Sequence, residues 1–146
     1  MNERFNIEKI FDLSKKYGIR ISPPVNEEVL EHLNASIGEL PKDLNNLYKL
    51  TNGLEGETFK ILSILNPKDP SNTWDSIERA NQLDSSRFSI NPEILNRFII
   101  FSEIGSNYAG LIEKETHKIW FEDEEGWHET DLSITEFIEA LIKDEI

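Results

Sequence analysis

The feature that most constrains the fold of this chain is the alternation of short apolar runs and turn signals between residues 98 and 130. Glycine, asparagine and acidic residues separate the runs, as is typical of tight turns between strands. The spacing therefore predicts a meander of antiparallel strands. The predicted strands are Phe98–Phe101, Tyr108–Ile112, Lys118–Glu122 and Trp127–Thr130.

Segments with helical periodicity surround this region. Each repeats apolar residues at intervals of three and four, which is typical of a helix with one buried face. The last is the most strongly specified, because Ser133 and Glu136 have the spacing of a capping box. The predicted helices are residues 6–17, 26–37, 41–51 and 133–142, and one capped by Asn72 or Thr73 that carries Trp74, Ile77, Ala80 and Leu83.

The end of the third helix is predicted at Asn52-Gly53. Glycine takes the left-handed conformation without strain, so this pair is typical of a Schellman cap. Leu54 would then fold back on Tyr48. Gly18 is the corresponding predicted cap of the first helix.

The order of the predicted elements indicates one α+β domain. A strand at Thr58–Leu65 separates the first three helices from the fourth, and the polar residues 84–96 are predicted to be irregular. Segregated helices and strands are typical of α+β proteins. A chain of 146 residues has the length of one ordinary domain, here residues 1–146.

The composition predicts a cytoplasmic protein that does not contact a membrane. The first residues lack the apolar core of a secretory signal, and no stretch approaches the ~18 apolar residues of a membrane span. The chain has no cysteine, which suits a reducing compartment. Disulfides, thiolate metal sites and cysteine nucleophiles are thereby excluded.

Negative charge is concentrated in the second part of the chain. Residues 1–54 hold seven basic and eight acidic side chains, whereas residues 55–146 hold eight basic and twenty acidic ones. A negative surface repels phosphates, which disfavours direct binding of nucleic acid. It favours a basic protein partner, because opposite fields speed encounter. The simpler interpretation is that the charge only aids solubility.

One segment, residues 120–131, combines six acids with three large aromatic residues and has no lysine or arginine. Aromatic side chains within an acidic rim suit an interface with a basic partner. The alternative is a hairpin whose aromatic residues face the core. The predicted partner-binding residues are Trp120, Glu122, Asp123, Glu124, Glu125, Trp127, Glu129 and Asp131, with Glu55 and Glu57 beside the Asn52-Gly53 turn as a second acidic pair.

Three motifs in sequence order resemble the SUKH superfamily of immunity proteins. The first is the helix joint at residues 37–41 that leads to Thr51-Asn52-Gly53, the second is the strand–turn–strand segment 98–108, and the third is the terminal helix with Phe137. The resemblance covers roughly residues 20–143. It implies an α+β fold with helices packed on one face of a mainly antiparallel sheet. For many bacterial members it also implies neutralisation of a cognate toxin by binding.

Motifs that would indicate catalysis are weak in this chain. His117 and His128 could approach across strands with Glu129 or Asp131 near, and Glu103 could face Glu113 across a hairpin as an acid–base pair. No cofactor is predicted. The leading hypothesis is a non-enzymatic immunity protein that inhibits a basic toxin, such as a nuclease, stoichiometrically. The alternatives are a regulatory or scaffold module of the same fold and, less favoured, a carboxylate hydrolase.

Overall fold

Seven strands lie in one sheet in the order in which they occur along the chain. The computed structural model describes residues 6–64, 76–84, 86, 88, 90–105 and 107–146. Every pair of neighbouring strands is antiparallel, so the predicted meander is confirmed. The strands are β1 Arg20–Ile21, β2 Leu54–Glu55, β3 Phe59–Ile61, β4 Phe98–Ile104, β5 Tyr108–Glu113, β6 Ile119–Asp123 and β7 Gly126–Glu129.

Six helices accompany the sheet within the described part of the chain, which confirms the α+β class. Most begin where a short polar side chain caps the first turn. Asn6 accepts a hydrogen bond from the Lys9 N–H at 3.1 Å, and Ser133 and Glu136 form the predicted capping box. The helices are α1 Ile7–Tyr17, α2 Glu27–Ile37, α3 Lys42–Leu50, α4 Ile77–Ala80, α5 Pro92–Arg97 and α6 Ile134–Ile142.

The predicted Schellman cap at Asn52-Gly53 is wrong. Helix α3 ends at Leu50, and Thr51 is already extended at φ −155°. Gly53 has φ +116°, and a Cβ there would lie 2.5 Å from the Ile61 carbonyl oxygen. The glycine therefore permits close approach of two backbones rather than a helix cap. Asn52 completes the joint by accepting a hydrogen bond from the Ile64 N–H at 2.8 Å.

Two helices differ from the prediction between residues 76 and 97. Helix α4 is capped by Ser76, which accepts a hydrogen bond from the Arg79 N–H at 3.2 Å. The predicted caps and Trp74 lie outside the described residues. Residues 92–97 form α5 rather than irregular chain, since Asn91 caps the helix and proline suits its first turn.

The core forms where α6 packs on the sheet and α1 packs on α6. Phe137 of α6 lies 5.7 Å from Phe101 of β4, measured between ring centroids. A Cβ on Gly110 would lie 3.2 Å from the Phe137 ring, so the glycine makes room for that ring. Beyond the end of β3, the Asn81 side chain forms hydrogen bonds with the backbone of β4. Its Oδ1 accepts from the Ile100 N–H at 2.8 Å, and its Nδ2 donates to the Ile100 carbonyl at 2.9 Å.

Candidate protein-binding site

The predicted binding segment forms the hairpin of β6 and β7 at one edge of the sheet. Its register pairs Phe121 with His128 and Glu122 with Trp127. Because side chains alternate along a strand, Trp120 and Trp127 lie on one face of the sheet and Phe121 on the other. The aromatic residues are therefore divided between two faces and do not form one exposed cluster.

Both tryptophans are partly buried against the first residue of β4. The Phe98 ring lies 5.5 Å from Trp120 and 5.6 Å from Trp127. The Arg97 guanidinium lies 4.8 Å from the Phe98 ring centroid and 5.1 Å from that of Trp120, within the range of cation–π attraction. On the opposite face, Phe121 stacks on His128 at 4.9 Å. These contacts give the aromatic side chains a packing role within the hairpin.

Arg97 also fixes a carboxylate beside this aromatic cluster. Its Nε donates to Glu113 at 2.8 Å, and the Thr116 hydroxyl donates to the other Glu113 oxygen at 2.8 Å. These two hydrogen bonds hold the pKa of Glu113 below its usual value, and the one from Arg97 has the larger effect. Within the part of the chain that the structure describes, the buried Trp120 Nε1 forms no hydrogen bond of good geometry, although it lies near enough to Glu113 to help lower the pKa of that carboxyl.

Asp123 holds the turn between β6 and β7. Its Oδ1 accepts from the Glu125 N–H at 2.9 Å and bonds His128 Nε2 at 2.8 Å. The hydrogen bond from His128 is the largest cause that lowers the pKa of Asp123, followed by that from Glu125. Asp123 therefore supports the local fold. The exposed carboxylates of Glu124 and Glu125 make no such bond to any described residue.

The remaining predicted acids differ in whether a cation accompanies them. Lys118 lies 3.7 Å from Glu129 and 3.5 Å from Asp131, and Glu55 pairs with Arg20 and with Lys60. Glu122 accepts a hydrogen bond from the Ala109 N–H at 3.2 Å. Three of the predicted partner-binding acids are exposed and have no cation of the described residues within 4 Å. They are Glu57, Glu124 and Glu125.

The antiparallel order brings those three acids to one end of the sheet. In an antiparallel meander, two turns lie at the same end of the sheet when two strands separate them, because the chain crosses the sheet and returns. The β2–β3, β4–β5 and β6–β7 turns are separated in this way. Glu57 thus lies at the same end as Glu124 and Glu125, about 20 Å away at ~4.8 Å per strand. We call these three residues the acidic end. Glu129 and Asp131 lie toward the opposite end, with Lys118.

The alternatives based on catalysis find no support in the described residues. No group of three or more histidines and acids is placed to hold a metal ion there. His117 lies in the β5–β6 turn, whereas His128 pairs with Phe121. The predicted pair of carboxylates is wrong, because Glu103 pairs with Ala109 beside the β4–β5 turn and Glu113 pairs with Phe98 at the far end of both strands.

Comparison with known proteins agrees with the architecture. The fold defines an α+β protein with a meander sheet, and three exposed glutamates lie at one end of that sheet. The chain belongs to the SMI1/KNR4 family (SUKH-1), whose family model matches residues 24–140. Searches of curated proteins and of solved structures found no match. Within the described residues, every helix is too short or too polar to cross a membrane.

Proposed function

We propose that this protein is an immunity protein that binds a basic toxin domain and inhibits it stoichiometrically in the cytoplasm. The observation that carries the proposal is the acidic end, where Glu57, Glu124 and Glu125 are exposed and no cation of the described residues lies within 4 Å of them. Membership of the SMI1/KNR4 family supports the proposal, because the superfamily includes many immunity proteins.

The chemistry of nucleases makes them the favoured class of target. An enzyme that cleaves nucleic acid needs a basic groove for the phosphate backbone. An acidic inhibitor can cover that groove, and its field speeds the encounter before any contact forms. Inhibition then requires binding alone, with no catalytic group on the inhibitor.

The proposal is tested with the product of the gene adjacent to this one, which we expect to be the toxin. Co-expression should restore growth, and the purified proteins should form a complex of equal stoichiometry in titration calorimetry. The protein alone should not turn over nucleic acid. If the neighbouring product neither binds nor is neutralised, the regulatory or scaffold function of the same fold replaces this proposal.

A pair of charge-reversed variants locates the contact. Glu124→Lys with Glu125→Lys should weaken the complex, because both residues belong to the acidic end. Glu93→Lys with Glu115→Lys is the matched control, since it makes the same change in net charge on exposed residues at the opposite end of the sheet. Equal weakening by both variants would show that net charge alone, and not the acidic end, carries the effect.

A further inference from the structure

We infer that the outer edge of β7 is a docking site for a basic, extended segment of the partner protein, which would add to the sheet as an eighth strand. This inference rests on the proposed function, since the toxin domain would supply that segment. Strand β7 is last in the sheet order, and within the described chain no other segment pairs with its outer side.

The register determines which backbone groups point away from the sheet. The Thr130 N–H donates to the Ile119 carbonyl at 2.9 Å, so these residues form a hydrogen-bonded pair. Such pairs alternate with non-bonded pairs along an antiparallel ladder. His128, opposite Phe121, therefore bonds inward, whereas the N–H and C=O groups of Trp127 and Glu129 point outward.

The ladder on the other side of β6 gives the same assignment independently. The Glu113 N–H donates to the Lys118 carbonyl at 2.8 Å, which makes that pair a bonded one. By alternation Trp120, paired with Leu111, bonds toward β5. Trp120 therefore forms no backbone hydrogen bond with its partner Glu129. The N–H and C=O groups of Glu129 point away from β6, toward the outer edge of the sheet.

Charge on and around β7 selects the occupant. Glu125, Glu129 and Asp131 are exposed along this edge. Among the described residues, Lys118 is the cation within 4 Å of Glu129 and of Asp131. Pairing of β7 with a second copy of itself would bring two acidic edges together, and like charges in opposed strands are destabilising. A lysine- or arginine-bearing strand meets opposite charges on the same edge.

A peptide probe tests the edge without any toxin. The probe is a seven-residue synthetic peptide in which lysine alternates with valine, and its control carries N-methyl groups on alternate residues, which block strand pairing. By NMR, the probe should slow hydrogen exchange of the Trp127 and Glu129 amides about tenfold when near saturation. The His128 amide, already bonded inward, is the internal control. Binding without this protection, or equal binding of the methylated peptide, would overturn the inference.

Two variants carry the test to the toxin domain. Glu129→Pro removes the outward N–H and the carboxylate, whereas Glu129→Ala removes the carboxylate alone. Proline is tolerated where an edge N–H faces solvent, and the melting temperature of each variant checks its fold. We expect Glu129→Pro to bind the toxin domain about three- to tenfold more weakly than Glu129→Ala, because one hydrogen bond is lost.

The outcomes separate the two proposals. Equal affinity of the two variants for the toxin domain overturns the edge as a docking site while the immunity function stands. Protection of the Trp127 and Glu129 amides by the peptide, with no binding of the toxin domain by the wild-type protein, upholds the edge and overturns the immunity function.

Discussion

At the scale of single residues, Gly53 shows how one missing Cβ lets the link between α3 and β2 approach the last residue of β3. Its positive φ and the 2.5 Å approach to the Ile61 carbonyl both oppose any side chain. We expect Gly53→Ala to lower the free energy of unfolding by about 2 kcal/mol or more. Gly18→Ala is the control, because its Cβ would meet open space and only the conformational cost of about 1 kcal/mol remains. Urea denaturation compares the two, and equal losses would contradict the close-approach argument.

Asp123 and Glu113 predict an acid-sensitive fold. Both have pKa values lowered by hydrogen bonds in the folded protein, so each stabilises the fold above the pKa of the unfolded chain, about 4. That contribution is lost as pH falls through the lower, folded values. The melting temperature should therefore fall as pH drops below about 4. Asp123→Asn should flatten this decline, measured by circular dichroism between pH 2 and pH 7. An unchanged acid limb would show that Asp123 contributes little.

At the scale of the elements, different side chains of the β6–β7 hairpin contribute to packing and to surface charge. Trp127 is partly buried against Phe98, so Trp127→Ala should lower the free energy of unfolding by about 1–3 kcal/mol. The exposed Glu124 and Glu125 should contribute less than about 0.5 kcal/mol, and their reversal to lysine should leave the melting temperature nearly unchanged. Thermal unfolding of both variants tests this contrast. A stable Trp127→Ala protein would make that ring a candidate for partner contact.

Elements with strong local signals were predictable from the sequence. The Ser133–Glu136 capping box and the Gly18 cap each act within a few residues, and the structure confirms both. Strand β2 was missed because two residues show no periodicity. The end of α3 was misplaced because Thr51 and Asn52 bond to distant segments, Thr51 to the Ser22 carbonyl and Asn52 to the Ile64 N–H. Such long-range partners leave no mark in a local pattern.

The candidate site was predictable as composition and only partly as geometry. The acids of the hairpin are visible in the sequence, but their pairing with Lys118 follows from the register of β6 and β7. Arg97 was missed as well. A base directly before a strand that begins with phenylalanine was its one local signal, and its contact with Trp120 depends on the order of the strands.

At the scale of the whole molecule, the net charge and the positions of the charges affect association in different ways. The net charge of −13 gives a long-range attraction for any basic partner. The acidic end adds orientation, because Glu57, Glu124 and Glu125 share one end of the sheet while Lys118 accompanies the acids near the other. A partner steered by this field should therefore approach that end first.

Association kinetics test this steering against simple charge. For Glu124→Lys with Glu125→Lys we expect the association rate with the toxin domain to fall about tenfold or more at low salt, with a smaller change in dissociation, because rim charges act on encounter. At 1 M salt the Debye length is ~3 Å, so the difference from wild type should narrow. The control Glu93→Lys with Glu115→Lys has the same net charge and should slow association less, since its changes face away from the acidic end. Surface plasmon resonance at two salt concentrations measures the association rates of the wild type and both variants.

Equal slowing by the two variants would assign the effect to net charge. Wild-type kinetics from the Glu124→Lys, Glu125→Lys variant would move the interface away from the β6–β7 turn.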